Sequence, residues 1–187
     1  MRKIIVTEFM SLDGVVEAPG GNETPHPHAG WQANYQSEAV ERYKVNELAN
    51  VEALLLGRIT YDDFAAYWPT QTGEAFAGPI NRLPKYVVSR TLGQTSWHNS
   101  HILRDIEDVA ALKATTGGDM LVYGSATLAK SLLHQNLVDE LRLIIYPVSL
   151  GGGLRIFDES LTLHQFELKD ARVVEQGIII AEYTALV

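Results

Sequence analysis

The chain has no cysteine, which excludes disulfides, thiolate nucleophiles and cysteine-ligated zinc. It also lacks an excess of positive charge. Lys and Arg number 15 against 23 Asp and Glu, for a formal net charge of -8, so sequence-independent binding to nucleic acid is not expected. No apolar run approaches the roughly 18 residues of a membrane span, and the opening MRKIIVTEF turns polar before an export signal could form. A cytoplasmic protein with neither a nucleic-acid nor a membrane partner is the expectation. No internal repeat, heptad or low-complexity tail interrupts the 187 residues, and that length suits one well-buried domain. Any bound anion must then be held locally, by a few cations and backbone amides.

The stretch that organises the rest is residues 119–153, DMLVYGSATLAKSLLHQNLVDELRLIIYPVSLGGG. It reads as a short buried strand over residues 120–123, a small-residue turn, a helix carrying Leu128, Leu132 and Leu133, and a second strand ending in glycines. Gly124, Ser125, Ala126 and Thr127 bring almost no side-chain bulk to the helix start. An anion can approach the unpaired amides and the positive dipole end of such a helix. An ordinary strand-to-helix turn capped by Ser125 or Thr127 reads the same way.

Upstream, residues 2–9 alternate and are rich in β-branched side chains, which predicts a first strand running into Ser11-Leu12-Asp13-Gly14. Asp13 fits Asx-turn chemistry, or a polar group facing a ligand at the carboxyl edge of a sheet. Residues 17–31, EAPGGNETPHPHAGW, predict a long surface loop that can serve as a lid. Its His26 and His28, with Glu23, raise the question of a metal site. Prolines extend the segment and no third histidine lies nearby, so no metal is expected.

Residues 37–50 predict a helix with Ser37 near its cap, and residues 53–56 a buried strand ending at Gly57-Arg58. Thr60 is the plausible cap of the next helix. Residues 68–83 read as loop, and KYVVS as a strand ending in Ser89-Arg90. Residues 106–114 read as a helix stopped by Thr116-Gly117-Gly118. Two long strands, 163–174 and 177–185, close the chain as a hairpin. The fold class is therefore three-layered α/β, with a mainly parallel central sheet, helices on both faces and an antiparallel C-terminal hairpin.

Four strand ends in order, Ser11-Leu12-Asp13-Gly14, Leu55-Leu56-Gly57-Arg58-x-Thr60, Val87-Val88-Ser89-Arg90 and Tyr123-Gly124-Ser125-x-x-Leu128, resemble the dihydrofolate reductase fold. Within that fold the pattern is similar to the C-terminal reductase domain of bifunctional riboflavin biosynthesis proteins. The resemblance implies a single reductase domain over residues 1–187 that uses NADPH. It places Gly57, Arg58 and Thr60 at the cofactor's phosphates and Ser89 and Arg90 at the adenosine 2'-phosphate. Gly124, Ser125, Ala126, Thr127 and Leu128 would wrap the pyrophosphate and nicotinamide ribose. Two helix N-termini and a pair of arginines agree with this on electrostatic grounds.

Folate-reducing enzymes carry a Trp-x-x-Pro-x-Asp/Glu context after the lid, and Trp31-Gln32-Ala33-Asn34-Tyr35 departs from it. Folate reduction is therefore not expected. The expected reaction is hydride transfer from NADPH to a conjugated C=N or C=O of a small, pyrimidine- or pterin-like substrate, as in 5-amino-6-(5-phosphoribosylamino)uracil reductase. Asp13 is the candidate polar group at the reacting centre, with Glu38 and Glu41 as candidates for proton relay. One rival is a non-catalytic nucleotide-binding protein of the same fold, and another a metal-dependent enzyme using the His26–His28 loop. A homodimer is expected from the resemblance and from the apolar run Ile178-Ile179-Ile180-Ala181.

Overall fold

A run of β-branched and apolar side chains, Ile4–Ser11, forms strand β1 in the interior of the sheet. The computed structural model describes residues 1–21, 24–157 and 162–186. After β1 come helix α1 (Glu38–Ala49), strand β2 (Ala53–Gly57), helices α2 (Arg58–Tyr67) and α3 (Ala77–Arg82), and strands β3 (Lys85–Val88) and β4 (Ser100–Leu103). Helix α4 (Ile106–Ala114), strand β5 (Met120–Tyr123), helix α5 (Ala126–His134) and strand β6 (Glu140–Tyr146) follow, and β7 (Gln165–Val173) and β8 (Ile179–Leu186) end the chain. The strands make one sheet in the order β4-β3-β2-β5-β1-β6-β8-β7. Pairing is parallel from β4 to β6 and antiparallel through β8 and β7, as the sequence predicts.

Alternation along β1 sends Ile4 and Val6 into one core layer and Ile5 into the other. The layers hold different helices. Leu48 of α1 and Tyr61 of α2 pack with Ile5 on one face, while Val109 of α4 and Leu128, Ala129, Leu132 and Leu133 of α5 pack with Ile4 and Val6 on the other. β5 thus lies between two strands whose connections leave by the opposite face from its own. At such a switch the chains diverge beyond the carboxyl ends of the strands and leave a crevice. The fold opens its principal cavity there.

Two elements depart from the sequence reading. Residues 68–83, expected as loop, contain the 3-10 turn Trp68–Thr70 and the short α3. Burial of Ala77 and Ile80 overrides their glycine and proline content. β4 is an additional edge strand, formed by parallel pairing with β3. The apolar run at 178–181 is also not a surface. Ile178, Ile180 and Ala181 are buried within the chain, while β7 holds the open edge with Leu168 and Val173 exposed.

One phenol helps to hold the loop before β4, beside the bonds of Trp97 to Asn81 and of Lys85 to His98 O. The fully buried Tyr61 hydroxyl accepts hydrogen bonds from the amides of Ser96 and Trp97, each at 3.0 Å. Tyr61→Phe would leave both amides unmet, at a cost of about 1–3 kcal/mol. Urea denaturation should show a lower midpoint with an unchanged slope; an unchanged midpoint would refute this accounting.

Candidate functional site

The cavity has a volume of about 810 Å³ and is bounded by the carboxyl ends of β1, β2, β3 and β5. All ten residues expected to hold a cofactor, namely Gly57, Arg58, Thr60, Ser89, Arg90, Gly124, Ser125, Ala126, Thr127 and Leu128, line it. The structure therefore brings together three strand ends that are far apart in sequence.

Two of its helix termini differ from those of α1 and α4, which are both capped by a side chain and acidic in the first turn. α1 is capped by Ser37, whose side chain accepts from Val40 N, and carries Glu38 and Glu41 in its first turn. α2 and α5 have neither a side-chain cap nor an acidic residue in the first turn. Their first-turn residues line the cavity and bring no carboxylate to the positive dipole ends. Nor does α2 begin at Thr60 as expected. Gly57 is its N-cap, and Ser125 joins the two termini: its Oγ accepts from Gly57 N at 2.9 Å and donates to Thr60 Oγ1 at 2.8 Å.

That bridge fixes local backbone geometry. Ser125 stands in the left-handed region at φ 68°, beside Gly124 at φ 61°. A Cβ added to Gly57 would meet Ser125 Cβ at 3.3 Å, so bulk on this strand end would disturb the bridge.

At the rim, Ser89 is buried and Arg90 exposed. Ser89 Oγ accepts from Thr91 N at 3.3 Å and Leu92 N at 3.0 Å, which shapes the turn that carries Arg90. Arg104, not singled out in the sequence, also lines the cavity and donates to the carbonyls of Ser89 and Leu92. Arg58 pairs with Asp62 at 2.6 Å. One end of the cavity therefore carries three arginines.

The lid folds back over the opposite side. Residues 16–21 and Thr24 line the cavity, with Glu17 Oε2 accepting from Leu154 N at 2.8 Å and Trp31 Nε1 donating to Glu17 O at 2.9 Å. His26 Nδ1 accepts from His28 N, so its Nε2 donates to Gly152 O at 2.9 Å. Glu23 lies outside the described residues, among which no three potential metal ligands gather.

None of the three carboxylates expected to serve the chemistry lines the cavity. Asp13 accepts from Ser11 Oγ, Leu150 N and Gly151 N, and ties the end of β1 to the loop after β6. The Ser11 hydroxyl first, and the Leu150 amide next, hold its carboxyl well below the usual range, so it stays ionised and has no proton to give. Glu38 is exposed and paired with Arg42, and Glu41 is exposed.

The sequence reading passed over Glu8 and Lys44, both of which line the cavity and are buried. Glu8 follows Ile4 and Val6 on an apolar face of an interior strand, and burial pushes its carboxyl up to about 8, with Lys44 opposing. Its Oε1 has no hydrogen-bond partner among the described residues. Lys44 Nζ donates to Thr7 Oγ1 at 2.8 Å and Glu47 Oε2 at 2.5 Å, and sits 4.1 Å from the centre of the Tyr123 ring. Sequence held a signal for both. Glu8 is a charged residue on a strand buried on both faces, and Lys44 and Glu47 fall on the stripe of α1 that contains Val40, Tyr43 and Leu48.

Comparison with known proteins agrees with this architecture. The family described as RibD C-terminal domain matches residues 2–180. The uncharacterized protein YyaP of Bacillus subtilis (strain 168) is 28% identical, across 97% of this chain and 94% of that protein. A crystal structure from Shewanella sp. PV-4, described provisionally as a riboflavin biosynthesis protein, superposes with a TM-score of 0.69 at 21% identity and covers 99% of both chains. The dihydrofolate reductase of Enterococcus faecalis, solved with NADP(H), gives a TM-score of 0.62 at 12% identity, covering 99% of this chain and 97% of that one. The fold is dihydrofolate reductase-like.

Proposed function

The chain belongs to the RibD C-terminal domain family, and from that premise we propose that it is an NADPH-dependent reductase of a small conjugated heterocycle. One observation carries the reading. Two uncapped, acid-free helix N-termini open onto a single cavity whose rim is rich in arginine, an arrangement suited to a ligand with several separated phosphates.

The residues fit the cofactor. The N-termini of α2 and α5, with Gly57, Arg58, Thr60 and residues 124–128, hold the pyrophosphate. Arg90, on the turn braced by Arg104, meets the 2'-phosphate. When bound, the nicotinamide supplies a hydride. The chain orients it, excludes water beneath the lid and leaves the Glu8 side of the cavity to the substrate.

Fluorescence titration with NADPH tests the reading directly, with saturation expected in the micromolar range. No binding at high micromolar cofactor would sink it. Arg90→Ala should weaken NADPH roughly tenfold and leave NADH unchanged, because only the former has the 2'-phosphate to lose. Equal affinities of the unaltered protein for the two dinucleotides would remove the role of Arg90.

A further inference from the structure

Resting on the reductase reading, we propose that Glu8 is the proton donor of the reaction, and that it selects a flat substrate presenting a hydrogen-bond acceptor to the cavity floor. The geometry has three parts. Glu8 is 2% exposed, lines the cavity and leaves Oε1 without a partner. Oε1 is itself shielded at the cavity wall, and an unpartnered buried polar atom there is satisfied by a partner that the cavity admits. Phe9, Phe64, Tyr67, Trp68 and Tyr123 also line the cavity and offer apolar faces to a planar ring. Behind them Lys44 is a fixed cation, with Glu47 and Thr7 holding its ammonium in place.

Glu8 is protonated at neutral pH, since burial raises its carboxyl to about 8. It therefore offers an O–H donor to a ring nitrogen or carbonyl oxygen. As the carbon of a substrate C=N bond gains a hydride from a reduced nicotinamide dinucleotide, the π pair of that bond moves to nitrogen. The Glu8 O–H bond breaks, its proton goes to the nitrogen, and the carboxylate left is stabilised by the Lys44 charge until water returns a proton. The substrate gains two electrons and the dinucleotide loses the same two. Lys44 favours the step because it stabilises the carboxylate formed.

Other titratable groups border the cavity: Glu17 on the 17–31 loop, Arg58, Asp63 and Tyr67 on α2, Arg90 after β3, Arg104 and Asp105 before α4, and Tyr123 on β5. Among charged groups only Lys44 bears on the Glu8 proton. Glu47 is the carboxylate partner of Lys44, and Arg142 pairs with the other oxygen of Glu47.

The test uses quinoxaline, a flat ring with two acceptor nitrogens and no ionisation of its own near neutrality, against naphthalene, which has the same shape and no acceptor. Calorimetric titration of the protein, with and without NADP⁺, should show quinoxaline bound roughly tenfold tighter at pH 6.5. That advantage should fall away as pH rises through about 8. Glu8→Gln should bind NADPH normally, and its quinoxaline affinity should not change with pH. Difference infrared spectroscopy of the unaltered protein against Glu8→Gln should locate a carboxylic acid band that vanishes over the same range. An advantage independent of pH, equal binding of the two rings, no binding of either, or a Glu8 already ionised at pH 6 would each overturn the proposal. Failure of the cofactor reading is seen separately, as absent NADPH binding, because the infrared titration needs no cofactor.

Discussion

Glu47→Ala is expected to remove about 3–5 kcal/mol of unfolding free energy, the usual consequence of deleting one partner of a buried ion pair. The side chains of Lys44 and Glu47 are 4% and 1% exposed, so water cannot replace the lost contact. Glu47 Oε2 receives Lys44 Nζ and Thr7 Oγ1, and Oε1 receives Arg142 Nη1 at 3.3 Å. Removing the carboxylate leaves Lys44 with only the Thr7 hydroxyl as a hydrogen-bond partner among the described residues, while Arg142 keeps Glu140 at 2.8 Å. Lys44 already lies below the ordinary lysine pKa because of burial, with Glu47 the main opposing influence. Without Glu47 the ammonium gives up its proton more readily. The folded variant then binds fewer protons than the unfolded chain, so its stability should recover as pH rises. Lys44→Met with Glu47→Leu removes both charges at similar volume and should lose much less than the single change. Guanidinium denaturation of the three proteins settles the matter. A loss below about 1 kcal/mol in the single variant would show that the pair is far more hydrated than its burial indicates.

Stability should also fall as pH rises between about 4.5 and 8, and Glu8→Gln should abolish that fall. The ordinary value of the Glu8 carboxyl is 4.5 and the folded value about 8. Over this window the folded state keeps a proton that the unfolded state has lost, so unfolding releases it and becomes easier with increasing pH. The penalty is absent below the unfolded value and complete above the folded one. Its size is on the order of several kcal/mol, at about 1.36 kcal/mol per pH unit of separation. The amide of Gln cannot ionise, so the variant's advantage should be absent near pH 4, below the unfolded value, and full at pH 9. Parallel stability curves for the two proteins over that range would refute an un-ionised Glu8.

The legible parts of this fold are those in which local chemistry and tertiary fate coincide. Residues 106–114 carry their own stop signal in Gly117 and Gly118, and the helix forms over those residues. Met120–Tyr123 is short, apolar and followed by a glycine, and it forms a buried interior strand. β4, with its SHIL sequence, has no alternation to betray it and exists because β3 offers an open edge. The cavity divides along the same line. Small residues at strand ends announce the cradle, since little else tolerates that backbone. Glu8 and Lys44 escape a reading that assigns charged side chains to solvent, although their positions, on an interior strand and on the apolar stripe of a helix, contradict that assignment. Asp13 misleads in the opposite sense. A carboxylate beside a glycine at a strand's end serves turn geometry as readily as catalysis, and here it holds the loop after β6.

Ser125 has a consequence for kinetics as well as for shape. Its hydroxyl fastens the start of α2 to the start of α5, against the roughly 1–2 kcal/mol that a non-glycine residue loses in the left-handed region. That strain is met once, when the chain folds. The two helix starts are therefore held at a fixed separation by the chain itself, and a ligand that spanned both would not wait for them to find each other. Preorganisation of this kind would reduce the ordering entropy of binding for any ligand that spans both helix starts.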